Sequence, residues 1–293
     1  MTAYSVVIAT YERPRELRVT LDGLAAQTHV PAQVIVVDAS PQGDTGEVAR
    51  DFASRLPLRY ERAEAASSAR QRNQGGRGVT TPLISFVDDD VRLPPDIFAK
   101  LCAALDTDSR LGGVAARIAG LEHPIPRGLL RAYYRLQAGF AHPTYGGKLF
   151  GPAINCMPSY TEADGELIPA DWLNSTCVCY RTTLFQAEMF PAFDGYSFME
   201  DVHLSARIAR AHPLGFHKTA IYEHLDATST FKRDRRQLAR MRLRNQRRIA
   251  QEIMGLGPVE LATKLFLHRI FTTACLLRSR GIGWREELLG TWR

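Results

Sequence analysis

The chain has 293 residues, 45% of them hydrophobic and 23% charged, which fits one large α/β domain or a domain of about 230 residues with an appendage and excludes a disordered, collagenous or coiled-coil chain. The net charge of +6 is uneven: residues 232–293 carry 15 Lys+Arg against 5 Asp+Glu, and residues 1–231 carry 22 against 26. A basic segment on a mildly acidic body points to an anionic partner (a membrane surface, a lipid diphosphate or nucleic acid), against the plainer reading of a solvated helix face.

Tyr4–Ala9 is an apolar run ending at Thr10, the form of a buried parallel strand. Pro14 opens a helix in which Leu17, Leu21 and Leu24 recur at helical spacing. Gln33–Asp38 reads as a second buried strand, Gly43–Phe52 as a short helix, Leu58–Tyr60 as a third strand and Ser67–Gly76 as a helix stopped by glycines. Leu83–Val87 is a fourth strand that runs into Asp88, Asp89 and Asp90; Pro94 and Pro95 then open a helix with Ile97, Phe98 and Leu101 inward. This alternation over residues 1–105 predicts a doubly wound, mostly parallel sheet. Such sheets bind ligands at the carboxyl ends of their strands. Thr10, Asp38 and the Asp88–Asp90 run all sit at such ends, so one crevice is expected to collect them with the Glu12–Arg13 loop.

Residues 120–168 are broken by Pro124, Pro126, Pro143, Pro152 and Pro158 and read as a variable insert with one helix near Leu129–Gln137. Asp171–Tyr180 reads as a strand, Arg181–Phe185 as the start of a helix, Phe198–Ala211 as a helix beginning at Glu200 and Asp201, and Gly215–Tyr222 as a strand leading to Glu223 and His224. Lys232–Gln251 is a basic helix with a narrow stripe of Leu238, Met241, Asn245 and Ile249, and Val259–Leu277 is a more apolar one. Lys264, His268 and Arg269 interrupt the latter, so no spanning helix is expected. The residues after Met1 enter a strand at once instead of forming a secretory leader. Cys102, Cys156, Cys177, Cys179 and Cys275 are odd in number and follow no regular framework, which suits a reducing compartment. Cys177 and Cys179 read as small core residues on one face of a strand, not as zinc ligands.

Three adjacent aspartates repel one another, and a divalent cation with oxygen ligands, Mg²⁺ or Mn²⁺, relieves that repulsion. The plainer alternative is a solvated loop whose Asp90 or Asp96 caps the following helix.

Seven segments taken together in order and spacing carry a resemblance: Ser5–Pro14 (SVVIATYERP), Val36–Ser40 (VVDAS), Arg70–Gly75 (RQRNQG), Phe86–Pro94 (FVDDDVRLP), Asp171–Arg181, Met199–Arg207 (MEDVHLSAR) and His224. In these the chain resembles the family 2 glycosyltransferases of the GT-A fold over roughly residues 3–230. The resemblance implies a catalytic domain over 1–230 (a nucleotide-binding half at 1–105, the insert at 120–168, an acceptor half at 169–230), with 231–293 as a basic helical extension. It implies a metal-dependent inverting transfer from a nucleoside-diphosphate sugar, UDP being the commonest, to a hydroxyl of a glycan or lipid-linked glycan. Cell-surface polysaccharide or glycoconjugate synthesis in the cytoplasm, peripheral on the inner membrane face, would be the setting.

Residue by residue, the resemblance makes Thr10, Tyr11, Glu12, Asp38, Arg70, Arg72, Asn73, Asp88 and Asp89 nucleotide contacts. It makes Asp90, Asp88 and His224 the ligands of Mn²⁺ or Mg²⁺, and Asp171 and Trp172 sugar or acceptor contacts. Asp201 becomes the catalytic base, needing little tuning because an ordinary carboxylate is ionised at neutral pH, and Glu200 its neighbour at the acceptor. The chain departs from the family at Asn174–Ser175–Thr176, where a Gly-rich turn is usual, and at His203, where an acidic residue is common; both bear on acceptor choice. A haloacid-dehalogenase-like Mg²⁺-dependent phosphatase is the first alternative, but its Asp-x-Asp belongs on a first strand and three strands precede Asp88. A sugar nucleotidyltransferase wants a glycine-rich first loop, which Thr10–Pro14 lacks. A nucleic-acid-binding protein needs only the basic helix, and no module for it is visible. The two C-terminal helices would lie on a membrane surface through 232–280, pack on the catalytic domain, or make a homo-oligomer.

Overall fold

The computed structural model describes residues 1–159, 165–193, 198–225 and 234–292. The chain divides into two compact units, Met1–Glu122 with Tyr160–Ala227 and His123–Ser159 with Thr228–Arg293.

The first unit is built on one mixed sheet. Its strands are β1 (Tyr4–Thr10), β2 (Gln33–Asp38), β3 (Leu58–Arg62), β4 (Leu83–Asp88), β5 (Val91–Arg92) and β6 (Gly113–Ile118). Its helices over the same stretch are α1 (Pro14–Ala25), α2 (Asp44–Asp51), α3 (Ser68–Arg77) and α4 (Ile97–Thr107). In the second unit come α5 (Gly128–Ala138), β7 (Leu149–Phe150) and β8 (Ile154–Asn155). The first unit resumes with β9 (Leu167–Ala170), β10 (Cys177–Arg181), α6 (Thr182–Glu188), α7 (Glu200–Ile208) and β11 (Leu214–His224).

The strand order is β3-β2-β1-β4-β10-β6-β11-β5, with β9 also paired to β11. β3, β2, β1 and β4 are mutually parallel, β6 and β11 run parallel to each other, and β10, β9 and β5 are antiparallel to their neighbours. The chain moves outward from β1 to β3 and then returns to lay β4 on the other side of β1. That reversal opens a crevice at the carboxyl ends of β1 and β4, the geometry that doubly wound sheets use for ligands.

The apolar runs form central strands because both faces of the sheet are covered. Val6, Val7, Ile8, Val34, Ile35, Val36, Val37, Phe86 and Val87 are fully buried. α1 presents Leu17, Leu21 and Leu24 to them, and α4 presents Ile97, Phe98 and Leu101, as the spacing predicts. Cys102, Cys177 and Cys179 are fully buried free thiols of this core.

Two local readings are corrected, and one strand is added. Residues 171–176 form no strand; the strand is confined to Cys177–Arg181, which pairs with both β4 and β6. β6 escapes the sequence because GVAARI has a weak strand signal, yet it lies between β10 and β11. Its first residue must be small: a Cβ on Gly113 would lie 2.5 Å from Cδ1 of Tyr180. The glycines of α3 do not stop that helix, which continues to Arg77. They let it approach the sheet, since a Cβ on Gly75 would lie 2.6 Å from Val7 Cγ1 and one on Gly76 would collide with the Phe185 ring. Gly75→Ala is therefore expected to destabilise the unit by about 1–3 kcal/mol in urea denaturation, although alanine is the better helix former.

The second unit joins the insert to the basic extension: α5 and the β7–β8 hairpin pack with α8 (Arg235–Glu252), α9 (Pro258–Ser279) and α10 (Trp284–Trp292). The Tyr133 ring stacks on Phe271 at 3.9 Å, its hydroxyl lies 2.7 Å from His268 Nδ1, and Gln137 Nε2 donates to the Lys264 carbonyl at 3.0 Å. Residues that the sequence separates into a variable insert and a helical extension thus share one body. Met241, Asn245 and Ile249 of the expected stripe are buried, and Leu238 is half-buried. α10 is not evident in the sequence. Among the described residues no helix is long and apolar enough to cross a membrane.

Candidate active site

Four pieces of chain meet at the carboxyl end of the β1–β4 pair: the β1–α1 loop, α3, the Asp88–Asp90 turn and the start of α7, with the end of β11 closing one side. The Thr10 hydroxyl donates to Asp89 Oδ2 at 2.7 Å, and Arg13 Nη1 reaches Asp89 Oδ1 and Asp90 Oδ2 at 3.0 Å each. Asp89 is buried, and burial pushes its carboxyl up to about 7 against the pull of Arg13. Its hydrogen bonds hold the turn to β1, so it lies under the crevice and not on its surface.

Asp88, Asp90 and His224 are brought together. One ligand atom from each lies within 4.8 Å of the others, and His224 Nε2 is 3.4 Å from Asp90 Oδ1. His224 ends β11 beside β5, pairing with Val91. The Leu225 amide donates to the Asp90 carbonyl at 2.8 Å, which ties that strand end to the aspartate turn. Two carboxylates and an imidazole suit Mn²⁺ and, with added water, Mg²⁺.

Arg72 is the arginine of α3 that faces inward; Arg70 is exposed. Arg72 Nη2 donates to Asp88 Oδ1 at 2.7 Å and Nη1 to Glu200 Oε1 at 2.9 Å, while its guanidinium carbon lies 5.4 Å from the Phe190 ring centre. Burial opposes its charge, but Asp88 and then Glu200 outweigh burial and hold it protonated above its ordinary value. This fork links the aspartate turn to the Glu-Asp pair.

Glu200 and Asp201 open α7 immediately after Met199, whose φ of +65° is left-handed and costly for a non-glycine residue. Glu12, at φ +53°, is the same kind of residue in the opposite loop, with its amide donating to Ser40 Oγ at 2.7 Å. Asp201 Oδ1 accepts from the Val202 amide at 2.8 Å, and the side chain keeps partial contact with solvent. Burial, reinforced by the Glu200 charge, pushes Asp201 up to about 7. The expectation that this carboxylate needs no tuning is corrected accordingly.

Several expected contacts are occupied internally. Asp38 is fully buried and accepts from the Ser40 amide at 2.7 Å, the Ser40 hydroxyl and the Tyr60 hydroxyl at 2.8 Å, with Arg62 at 3.4 Å. Both ends of the Asn73 amide bond to the Phe190 main chain, Nδ2 to the carbonyl at 2.8 Å and Oδ1 from the amide at 2.9 Å. Trp172 is 3% exposed and meets Phe216 edge-on at 6.1 Å, so its indole is a core ring and offers no face to a sugar. Asp171 is half-buried beside it, Tyr11 is half-buried, and Glu12 is exposed. His203 is buried against Phe193.

Three residues that the sequence reading passed over position the crevice. Buried Gln71 donates through Nε2 to the carbonyls of Thr10 at 2.9 Å and Val37 at 2.8 Å, clamping the ends of β1 and β2. Tyr60 and Arg62, at the end of β3, cover Asp38. Their signals lay in strand register, which pairs Asp38 with Arg62, and in helical spacing, which puts Gln71 on the face of α3 that Gly75 turns to the sheet.

Comparison with known proteins agrees with this geometry. The family model for glycosyl transferase family 2 matches residues 5–158, just over half of the chain. Validoxylamine A glucosyltransferase of Streptomyces hygroscopicus subsp. limoneus is 36% identical over 104 residues, 34% of this chain and 23% of that protein. Hyaluronan synthase of Pasteurella multocida is 35% identical over 96 residues, 31% of this chain and 10% of that protein. The matched stretch is thus less than a quarter of either relative. Among solved structures, mannosyltransferase PcManGT of Pyrobaculum calidifontis, in complex with GDP-Man and Mn²⁺, superposes with a TM-score of 0.58 at 16% identity, covering 99% of this chain and 84% of that one. S. aureus TarS 1–349 in complex with UDP gives 0.54 at 18% identity, covering 96% and 74%. The shared fold places the alternation of the first 105 residues in the GT-A class, with helices appended at the C-terminal end. On the match of more than half its length to the family model, this chain belongs to glycosyl transferase family 2.

Proposed function

We propose that the chain transfers a glycosyl group from a nucleoside-diphosphate sugar to an acceptor hydroxyl, with Asp201 as the base and with inversion at the anomeric carbon. The observation that carries this reading is the convergence of Asp88, Asp90 and His224 at the strand ends, joined through Arg72 to the Glu200–Asp201 pair. The donor set fits a divalent cation. Asp88, Asp90 and His224 would hold Mn²⁺ or Mg²⁺, which supplies compensation for the charge left on the departing diphosphate.

The chain's own residues do the rest. Asp201 takes the proton of the acceptor hydroxyl as that oxygen bonds to the anomeric carbon and the bond from that carbon to the diphosphate oxygen breaks. Attack opposite the leaving group inverts the centre in a single displacement. Glu200, held by Arg72 and by Ser68 Oγ at 3.4 Å, keeps Asp201 at the head of α7. Tyr11 and the Asp38–Tyr60–Arg62 cluster border the place for the nucleoside, beyond the ends of β1 to β3. UDP is the favoured nucleotide: TarS has been solved with UDP and with UDP-GlcNAc, although PcManGT carries GDP-Man. A glycan or lipid-linked glycan hydroxyl is the acceptor class, in keeping with a hyaluronan synthase among the relatives.

Titration calorimetry with a panel of nucleoside diphosphates, with and without Mn²⁺, tests this reading. One diphosphate, UDP, is expected to bind in a Mn²⁺-dependent way, and Asp90→Ala to weaken it by about tenfold or more, the loss of one good charged contact. A folded protein that binds no diphosphate under any of these conditions overturns the reading and returns weight to the phosphatase and nucleic-acid alternatives.

A further inference from the structure

The second unit combines two properties that rarely coincide on a soluble surface. Its segments hold 19 Lys+Arg against 5 Asp+Glu, a net of +14, while the first unit holds 18 against 26. The same unit carries eleven of the fifteen large apolar side chains exposed among the described residues. On α9 these are arranged, not scattered. Val259, Phe266, Ile270 and Leu277 are 80%, 55%, 45% and 46% exposed. At 100° per residue their steps of seven, four and seven put all four within about 20° of one line, about 27 Å long. The opposite face of α9 carries Leu261, His268 and Phe271 inward, the last two against Tyr133.

Trp292 of α10 flanks the line, 44% exposed, with its indole N–H on Thr273 Oγ1 at 2.8 Å and its ring edge-on to Phe266 at 6.4 Å. α5 repeats the arrangement one step smaller with Leu129 and Leu136, 86% and 60% exposed and again seven apart. Arg240, Arg242, Arg244, Arg247 and Arg248 are exposed along α8.

We infer that this unit docks on an anionic lipid bilayer, with the α9 stripe and Trp292 lying in the headgroup region parallel to the membrane plane. An amphipathic helix with an apolar line, a flanking tryptophan and a basic surround is the combination that binds there, and each arginine near an anionic surface adds to the attraction. A second copy of the chain would cover the stripe as well, but it would bring another +14 against the first, whereas anionic headgroups complement the charge. Nucleic acid answers the charge and leaves the stripe bare. The inference stands on the second unit alone and does not depend on the donor site.

Co-sedimentation of the full chain with phosphatidylcholine vesicles, with and without phosphatidylglycerol, tests it. The chain is expected to pellet with the phosphatidylglycerol vesicles only, and less so as salt rises. Phe266→Ser with Ile270→Ser, and separately Arg240→Glu with Arg247→Glu, should each lower the apparent affinity about tenfold or more. All four positions are largely exposed, and Phe266 gives up only its edge-on contact with Trp292, so the melting curve followed by circular dichroism should shift little and remain cooperative, which keeps loss of binding distinct from unfolding. Equal pelleting with both vesicles, or a serine pair that binds as wild type, overturns the inference. So does a wild-type dimer in sedimentation equilibrium that the serine pair converts to monomer, which assigns the stripe to a second copy. Retention on RNA lost in the glutamate pair, with no vesicle binding by wild type, overturns it in favour of nucleic acid.

Discussion

Asp201→Asn is expected to lower the rate of glycosyl transfer by about 10²–10⁴-fold while leaving Mn²⁺-dependent UDP binding within a few-fold of wild type. The amide keeps the shape of the side chain and its acceptor for the Val202 amide, but it cannot take a proton from the attacking hydroxyl. A rate measured with UDP-sugar donors and a panel of glycan acceptors, beside calorimetry on the same preparation, separates the two effects. A variant that loses UDP binding and transfer together would make Asp201 a structural group of the α7 turn and remove it from the chemistry.

The same residue sets a pH dependence whose sign follows from its environment. Burial beside Glu200 raises Asp201 to about 7, so the carboxylate proposed as the base is mostly protonated below that value. On this basis kcat/KM should climb by about tenfold between roughly pH 6 and pH 8. Asp201→Asn should flatten that limb at its residual rate. The linked effect on stability runs the other way. A carboxyl whose folded value is raised costs the native state nothing below its unfolded value near 4; the cost accrues between about pH 4 and pH 7 and levels off above. Most of the stability cost of Asp201 and of Asp89, also raised to about 7, is therefore already incurred at the pH where the rate climbs. An ionised base in a buried site is gained at the expense of stability.

The apolar runs at β1, β2 and β4 were legible because a strand covered on both faces must be apolar throughout, and the polar residue at its end marks where the cover stops. The same logic located Thr10, Asp38 and Asp88. It failed for β6, where the packing needs small residues and GVAARI carries little hydrophobic signal. Trp172 and Asn73 came from the resemblance, not from that logic, and their difficulty is different. A large ring or an amide near a site has no directional signature in one dimension, and both proved to face Phe216 and the Phe190 main chain. Gln71 illustrates the converse: a polar residue one position from the arginine of interest, unmarked by composition, joins two strand ends because α3 turns it toward the sheet. The union of residues 123–159 with the C-terminal helices is a contact between segments about a hundred residues apart, and nothing in the local pattern of either announces the other.

Arg72→Met is expected to lower the free energy of unfolding by about 3–5 kcal/mol and to abolish transfer, where Arg70→Met changes stability by no more than about 0.5 kcal/mol. The two arginines sit two residues apart on one helix, and the sequence does not rank them. The difference is burial: Arg72 has a side chain 6% exposed between Asp88 and Glu200, whose side chains are 27% and 8% exposed, whereas Arg70 faces solvent. Removing the cation leaves two acidic groups in a poorly solvated place, and leaving a buried charge unpaired costs more than the pair itself contributes. Arg72→Lys should recover only part of the loss, because a point charge cannot serve two carboxylates with the geometry of a planar fork. The double variant Arg72→Met with Glu200→Gln supplies the discriminating measurement. If the fork is what joins the aspartate turn to the Glu-Asp pair, removing the second charge should return about 0.5–3 kcal/mol in urea denaturation, so the two losses will not add. Strict additivity would show that Arg72 and Glu200 act independently, and the path from the aspartate turn to the base would then have to run elsewhere.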